Sequence, residues 1–255
     1  MQIMYNSKFV LLAILLMIVL SSCGSDDKIT NGESILYYAE LNVSRIHPPG
    51  GVIVMTDTIS ASFDSIYSPI TSNKPCCSLN ITCNSFTLQW QEGLQRHIYS
   101  DISIDGFLNL NGIYIFRLGS DQAVPAFEKS ITFPTAEPWL TYPRLTNPAT
   151  NTFDTVLISE GFTITWTGTS SETVELIVCD GSVSEYHPAD TLVYIITEND
   201  GAVAVTADSL INLVPNNMYK IIMTIKNSEA LISEGYDPRS RIIAQNHTFS
   251  YFYAK

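Results

Sequence analysis

The stretch Leu213-Val214-Pro215-Asn216-Asn217-Met218-Tyr219, with the run that follows it, decides the fold. A proline and two asparagines are turn residues, each for its own backbone reason. At Tyr219 the pattern changes. Tyr219, Ile221, Met223 and Ile225 alternate with Lys220, Thr224 and Lys226. A period of two sends successive side chains to opposite faces, so this is a strand with one buried face, and Tyr219 opens that face.

The same period recurs on either side. Phe162, Ile164 and Trp166 point one way, and Thr163, Thr165 and Thr167 the other. Val174 to Cys179 and Leu192 to Thr197 read as strands. Asn199-Asp200-Gly201 is a hairpin signal between Ile196 and Val203. Phe249, Tyr251 and Tyr253 close the chain. In the first half, Ile35, Tyr37, Ala39, Leu41 and Val43 alternate with mostly polar neighbours until His47-Pro48-Pro49-Gly50-Gly51 breaks the strand. Further strands are expected at Val52 to Met55, Ile59 to Phe63, Ile98 to Ile104 and Ile113 to Leu118. Phe86, Leu88 and Trp90 share one face. No long stretch has helical spacing. Pro134, Pro138, Pro143 and Pro148 punctuate 133–148, where missing donors suit an edge or linker. The expected architecture is therefore all-β, two β-sandwich domains in tandem, over 34–135 and 136–255.

Composition excludes several classes. Of 255 residues 45% are apolar and only 15% charged, which rules out disorder and coiled coil and leaves enough chain for a buried core. The formal charge of −12 argues against a nucleic-acid partner, which needs a dense basic patch.

The N-terminus gives a location. Lys8 precedes an apolar run from Phe9 to Leu20, too short to span a bilayer core of about 30 Å. It reads as a signal peptide over 1–22, followed by a tether of small polar and acidic residues over 23–33. Leu20-Ser21-Ser22-Cys23 resembles the lipobox of bacterial lipoproteins. That resemblance implies cleavage before Cys23 and lipid attachment to it, with palmitate among the acyl chains. The membrane is then a partner through a multiply acylated anchor. The cluster Asp26-Asp27 resembles an acidic tag that exports Gram-negative lipoproteins to the cell surface. The expected location is the outer membrane, facing outward. Removing 1–22 takes away one lysine and no acid, leaving 12 basic and 25 acidic side chains, a formal −13.

Residues from about 138 onward resemble a fibronectin type III or related immunoglobulin-like domain. Prolines precede the first strand, Trp166 sits in the second, and Leu213-Val214-Pro215-Asn216-Asn217-Met218-Tyr219 matches the tyrosine corner. The resemblance implies a core Trp166, a Tyr219 hydroxyl bonded to upstream backbone, and three strands between them. In the first half, Phe86-Thr87-Leu88-Gln89-Trp90 echoes Phe162 to Trp166, which marks Trp90 as a core residue beside Trp166, Pro215 and Tyr219. Tyr114 follows it too soon for three strands, and no proline precedes it, so either the first sandwich is shorter or permuted, or the echo is chance.

Little in the chain points to catalysis. His47, His97, His187 and His247 form no metal-binding or nucleophile motif, and no phosphate loop is present. No cofactor, metal or catalytic residue is assigned. Cys83 could pair with Cys76 or Cys77 across a short loop, a closure worth roughly 2–3 kcal/mol in the loop-entropy model. Cys179 reads as a small buried hydrophobe. Five triplets of Asp, Ser or Thr, and an aliphatic residue mark Thr58, Ser65, Thr155, Thr191 and Ser209. They resemble the acceptor of a Gram-negative O-glycosylation system, and they also suit turn exits into strands. Tyr37, Tyr38, Trp139, Tyr142, Tyr186 and Tyr236 fall outside the clearest inward faces. Exposed aromatics stack on sugars, and buried ones would cement the two domains. The expected function is a non-catalytic binding or structural module for a glycan or protein ligand. The alternatives are a surface-assembly component using strand addition and a glycan-active hydrolase.

Overall fold

The computed structural model describes residues 37–48, 55–65, 79–103, 106–120, 124–147, 152–182 and 190–255. The leader, the tether with Cys23, and Cys76, Cys77, Tyr186 and His187 lie outside them.

The first sandwich takes β1 (Tyr37–His47), β2 (Met55–Ser65), β3 (Ile81–Cys83), β4 (Phe86–Thr87), β5 (Gln89–Gln91), β6 (Arg96–Ser103), β7 (Ile113–Leu118) and β8 (Phe127–Thr132). Order β1-β2-β6-β5 makes one sheet and β4-β3-β7-β8 the other. Alternation puts Ala39, Leu41, Val43, Ile59 and Ala61 on one inner face, against Ile81, Cys83, Phe116, Leu118 and Ile131. Each large apolar side chain so buried contributes about 1.5–3 kcal/mol.

The second sandwich takes β9 (Trp139–Tyr142), β10 (Leu145–Asn147), β11 (Thr152–Phe153), β12 (Thr155–Val156), β13 (Phe162–Thr167), β14 (Thr173–Asp180), β15 (Val193–Glu198), β16 (Ala202–Val205), β17 (Met218–Ala230) and β18 (Arg241–Ala254). Sheet β16-β13-β9 faces sheet β15-β14-β17-β18, with Ile164, Trp166, Leu176, Ile221, Met223 and Phe252 between them. Three strands separate Trp166 from Tyr219, as their spacing implies. This is the immunoglobulin-like arrangement of strands.

Both halves carry a tyrosine corner. Val214 N–H donates to Tyr219 Oη at 2.6 Å, and Asn109 N–H donates to Tyr114 Oη at 2.6 Å, each across five residues. Leu213 and Leu108 are buried at matching positions, and Asn216 and Asn111 both take positive φ, 67° and 57°. Asparagine tolerates that region because its short polar side chain can bond locally. The first sandwich is thus a second immunoglobulin-like unit, neither shorter nor permuted. Its counterpart of β13 is β2, not the stretch ending at Trp90.

Several expectations change here. Phe86 to Trp90 is two strands in opposite sheets, with buried Leu88 as the crossing point and its N–H on Ile81 O at 2.9 Å. Trp90 is therefore half-buried on a three-residue edge strand, beside His97 at 5.1 Å, and is not a core marker. Pro215 is exposed and shapes the corner without filling the core. Asn199-Asp200-Gly201 is no hairpin either, since β15 pairs with β14 and β16 with β13. The turn passes between sheets, and buried Asn199 fixes it: its Oδ1 accepts from Trp166 Nε1 at 2.6 Å and its Nδ2 donates to Gly168 O at 3.0 Å.

The largest change is the division at residue 136. β17 has 13 residues and β18 has 14, longer than one sandwich uses. Their far ends enter the first core, where Leu231, Tyr236, Ile242 and Ala244 pack with Leu41 and Phe127. β18 pairs in parallel with β1 from Glu40–Arg241 to His47–Thr248. One sheet therefore runs β15-β14-β17-β18-β1-β2-β6-β5 through both units.

Candidate functional site

The inner face of this joined sheet turns polar between the two cores. Arg45 and His47 of β1, Asp57 of β2, and Asn246, Thr248 and Ser250 of β18 are all buried there. Arg45 Nε and Nη2 donate to the two Asp57 oxygens at 2.7 and 2.8 Å, and Nη2 also donates to Leu108 O at 2.6 Å. Asp57 Oδ2 accepts from the Phe107 and Leu108 N–H groups at 2.7 and 2.8 Å. Arg45 Nη1 and His47 Nε2 each lie 3.3 Å from Glu137 Oε1, and the Trp139 ring is 4.5 Å from that of His47. Burial pushes the His47 imidazole pKa down, with Glu137 opposing the shift and Arg45 adding to it.

The same cluster pins the connector between the sandwiches. Asn246 Nδ2 donates to Ala136 O at 3.1 Å, Asn227 Nδ2 to Thr132 O at 2.9 Å, and Thr135 N–H and Oγ1 both donate to Glu172 at 2.9 Å. Its carboxylates are already bonded to Arg45 and backbone, which makes it a joint.

The outer face of the joined sheet is different. One cross-strand row runs Ile196–Glu175–Thr224–His247–Ile46–Thr56–Ile102 over seven strands. Ile196, Ile46 and Ile102 in it are exposed, by 59%, 39% and 69%. The adjacent row runs Tyr194–Ile177–Ile222–Phe249, with Tyr194 exposed by 53%. Phe249 lies 5.9 Å from Tyr251, which lies 5.2 Å from Phe153. Between these side chains stand Asn42, Thr56, Thr58 and Gln245, all half-buried. Charges on this face are matched: Lys226 with Glu175, Arg241 Nη2 with Glu40 at 2.8 Å, and the Lys220 ammonium 4.6 Å over the Phe249 ring. Glu198, at the end of β15, is exposed. His247 Nδ1 is 2.8 Å from Thr224 Oγ1, and desolvation, with His47 and Lys226 adding to it, pushes its imidazole down to about 4.

Of the aromatic residues singled out in the sequence, Tyr37, Trp139, Tyr142 and Tyr236 serve packing, and Tyr186 lies outside the described residues. Tyr236 is buried, donating to Pro125 O at 2.5 Å; Tyr37 packs on the first core, Tyr142 on the second, and Trp139 on His47. Tyr38 bonds Glu40 at 3.2 Å. The outward rings of Phe249, Tyr251 and Tyr253 were readable as alternation, but which face turned outward was not. Cys83 is a free, fully buried thiol pushed up to about 12 by burial, and Cys179 is likewise free and buried. Among the glycosylation triplets, Thr155 and Ser209 are exposed, Thr58 and Thr191 are half-buried, and the Ser65 side chain lies outside the described residues. Asp57, which heads the Thr58 triplet, is taken by Arg45.

Fold and site together define an immunoglobulin-like β-sandwich protein. Residues 147–233 are similar to the Kre9/KNH-like N-terminal Ig-like domain, a match that begins in β10 and ends just past β17. No curated protein matches the chain. Among solved structures it is similar to the crystal structure of the titin domains z1z2 in complex with telethonin, at 11% identity and a TM-score of 0.21, over 86% of this chain and 98% of that one.

Proposed function

We propose that this chain is a lipid-anchored, surface-exposed, non-catalytic binding module whose contact surface is the outer face of the joined sheet. One observation carries the reading: exposed Tyr194, Ile196, Ile46, Ile102 and Tyr253 gather on that single face, although the chain has two closed cores to hold such side chains. Scattered apolar residues need no explanation, but a gathered set marks a contact surface. The immunoglobulin-like domain is compatible with a binding or structural role. The Leu20-Ser21-Ser22-Cys23 box supports the anchor and Asp26-Asp27 the outward side. Strand addition ranks second, because the terminal strands of the joined sheet are short: six residues in β15 and three in β5.

Two experiments test this. Labelled palmitate enters the wild-type chain and not Cys23→Ser, and protease added to intact cells digests the protein. Absence of label, or full protection in intact cells with digestion after lysis, removes the anchored surface reading. A photo-crosslinker placed at Ile196 captures a cell-surface component that the same probe at Ile113, exposed in the other sheet, does not.

A further inference from the structure

We infer that the edge of β15 pairs antiparallel with the β15 edge of a second copy of this chain, so that two joined sheets become one across a two-fold axis. The surface used is the edge of the sheet, not its outer face, and the pairing does not depend on the lipid anchor.

An edge strand offers a row of backbone N–H and C=O groups to any strand that reaches it. Natural sheets blunt such an edge within the strand itself by proline, lysine, a bulge or shortness. β15 uses none of these. Among the described residues β14 is the one strand paired with it, in an unbroken register from Thr173–Glu198 to Val178–Val193. Val193-Tyr194-Ile195-Ile196-Thr197 are all β-branched or aromatic, the residue types that strands favour. The other described edges are guarded or short. β4, β5, β10 and β11 have three residues or fewer. β9 stands between Pro138 and Pro143, β8 carries Glu128 and Lys129, and β16 has four residues.

The sequence of the strand selects the partner. In an antiparallel pair, residues directly opposite each other share a face and touch. A self-pair centred on Ile195 sets Ile195 against its own copy, Tyr194 against Ile196 and Val193 against Thr197, each pair spanning the two chains. Every position then meets an apolar or β-branched one. The exposed Tyr194 and Ile196 cover each other twice, an aromatic against a β-branched residue. Glu198, the one charge of the strand, stays at the two ends, away from its copy. A foreign strand would have to supply this pattern and length, whereas a second copy carries both. Six residues are few for a donor strand, but a two-fold axis uses each contact twice. The interface is still small, so the dimer is weak in solution and, on the anchored reading, favoured by a shared membrane.

The test is sedimentation velocity of the full chain in density-matched detergent, with the concentration raised to the solubility limit. The wild-type chain shifts from monomer to dimer as the concentration rises. Ile196→Lys puts a charge into the apolar row of both copies and needs about tenfold more protein for the same shift, because two cross-strand pairs are lost at once. Ile102→Lys, exposed at the far end of the same outer face, dimerises as wild type. Both positions are exposed, so the variants keep their fold, which circular dichroism checks. With p-benzoylphenylalanine in place of Tyr194, irradiation gives a product of twice the chain's mass, joined to β15 of the second copy. A monomer at every concentration, an Ile196→Lys that dimerises as wild type, equal loss in Ile102→Lys, or a crosslink outside β15 overturns the inference. If the chain stays monomeric while the Ile196 crosslinker captures a cell-surface component, the contact-surface reading stands and only the self-pair fails. A product of twice the chain's mass in that experiment counts for the self-pair instead.

Discussion

The two tyrosine corners tie one hydroxyl each to a loop that must stay closed over a core. Removing the oxygen alone leaves ring packing intact and strands one backbone N–H. Tyr219→Phe and Tyr114→Phe should each cost about 1–2 kcal/mol in urea unfolding, because the orphaned donor sits partly out of water. Equal losses in the two variants would show that the corners do the same work in both sandwiches. Asp57 is more exposed to damage by mutation than its size suggests. It is completely buried and pairs with Arg45, so Asp57→Ala leaves the buried guanidinium only Glu137, at 3.3 Å, and strands the Phe107 and Leu108 N–H groups, at about 3–5 kcal/mol. Gly106 guards the same pair. Its φ is +62°, and a Cβ there would come within 2.4 Å of both Arg45 Nη2 and Asp57 Oδ2. Gly106→Ala should therefore destabilise the protein through strain and through the displaced ion pair, whereas Gly93→Ala, with open space around it, should be close to neutral.

At the scale of elements, what the sequence conveys depends on how far away a residue's partners lie. Alternation is local, so the inward faces of β13 and β17 and the corner at Tyr219 were legible from their own residues, whereas β14 is apolar on both sides over Leu176 to Cys179. Sheet membership is not local. Leu88 and Asn199 each sit where the chain changes sheets, and both look like ordinary strand or turn residues until their partners, Ile81 and Trp166, are known. The overrun of β17 and β18 into the first core left no readable trace, because the alternation of β17 stops at Lys226 and polar Asn227, Ser228 and Glu229 follow. The candidate face was hidden for a related reason. β18 has apolar residues on both sides, Ile242 and Phe252 inward, Ile243 and Phe249 outward, and only the pairing with β1 decides which is which. That pairing is also testable. Gln245 lies between Lys226 and Ser44 in the middle of the joined sheet. Gln245→Pro removes a ladder donor there and should raise amide hydrogen exchange on β1 and β17 together. A rise on β17 alone would mean that β1 is held by the first sandwich without help from β18.

For the molecule as a whole, shared strands and buried imidazoles set the response to heat and acid. His47, His97 and His247 all have folded-state pKa values below the ordinary 6.5, each through burial first. Below pH 6.5 the unfolded chain takes up protons that the folded chain refuses, so stability falls as the solution is acidified toward the folded values. The slope is at most on the order of 1.4 kcal/mol per pH unit for each histidine, and about 2–4 °C of melting temperature for each kcal/mol. Melting followed by circular dichroism should drop steadily from pH 7 to pH 5, and His47→Gln should flatten the drop. A melting temperature that holds or rises over that range would contradict the assignment of these groups as neutral. The shape of the transition carries a separate argument. Two sandwiches on a free linker would unfold one after the other. Here Ile242 and Ala244 belong to one core, Phe252 and Ala254 to the other, and all four lie on one strand whose backbone is paired along its length. Losing either core breaks the ladder that supports the other. Calorimetry should therefore show a single transition whose calorimetric and van't Hoff enthalpies agree. Two resolved peaks, or a calorimetric enthalpy near twice the van't Hoff value, would mean that the joined sheet transmits no stability between the sandwiches.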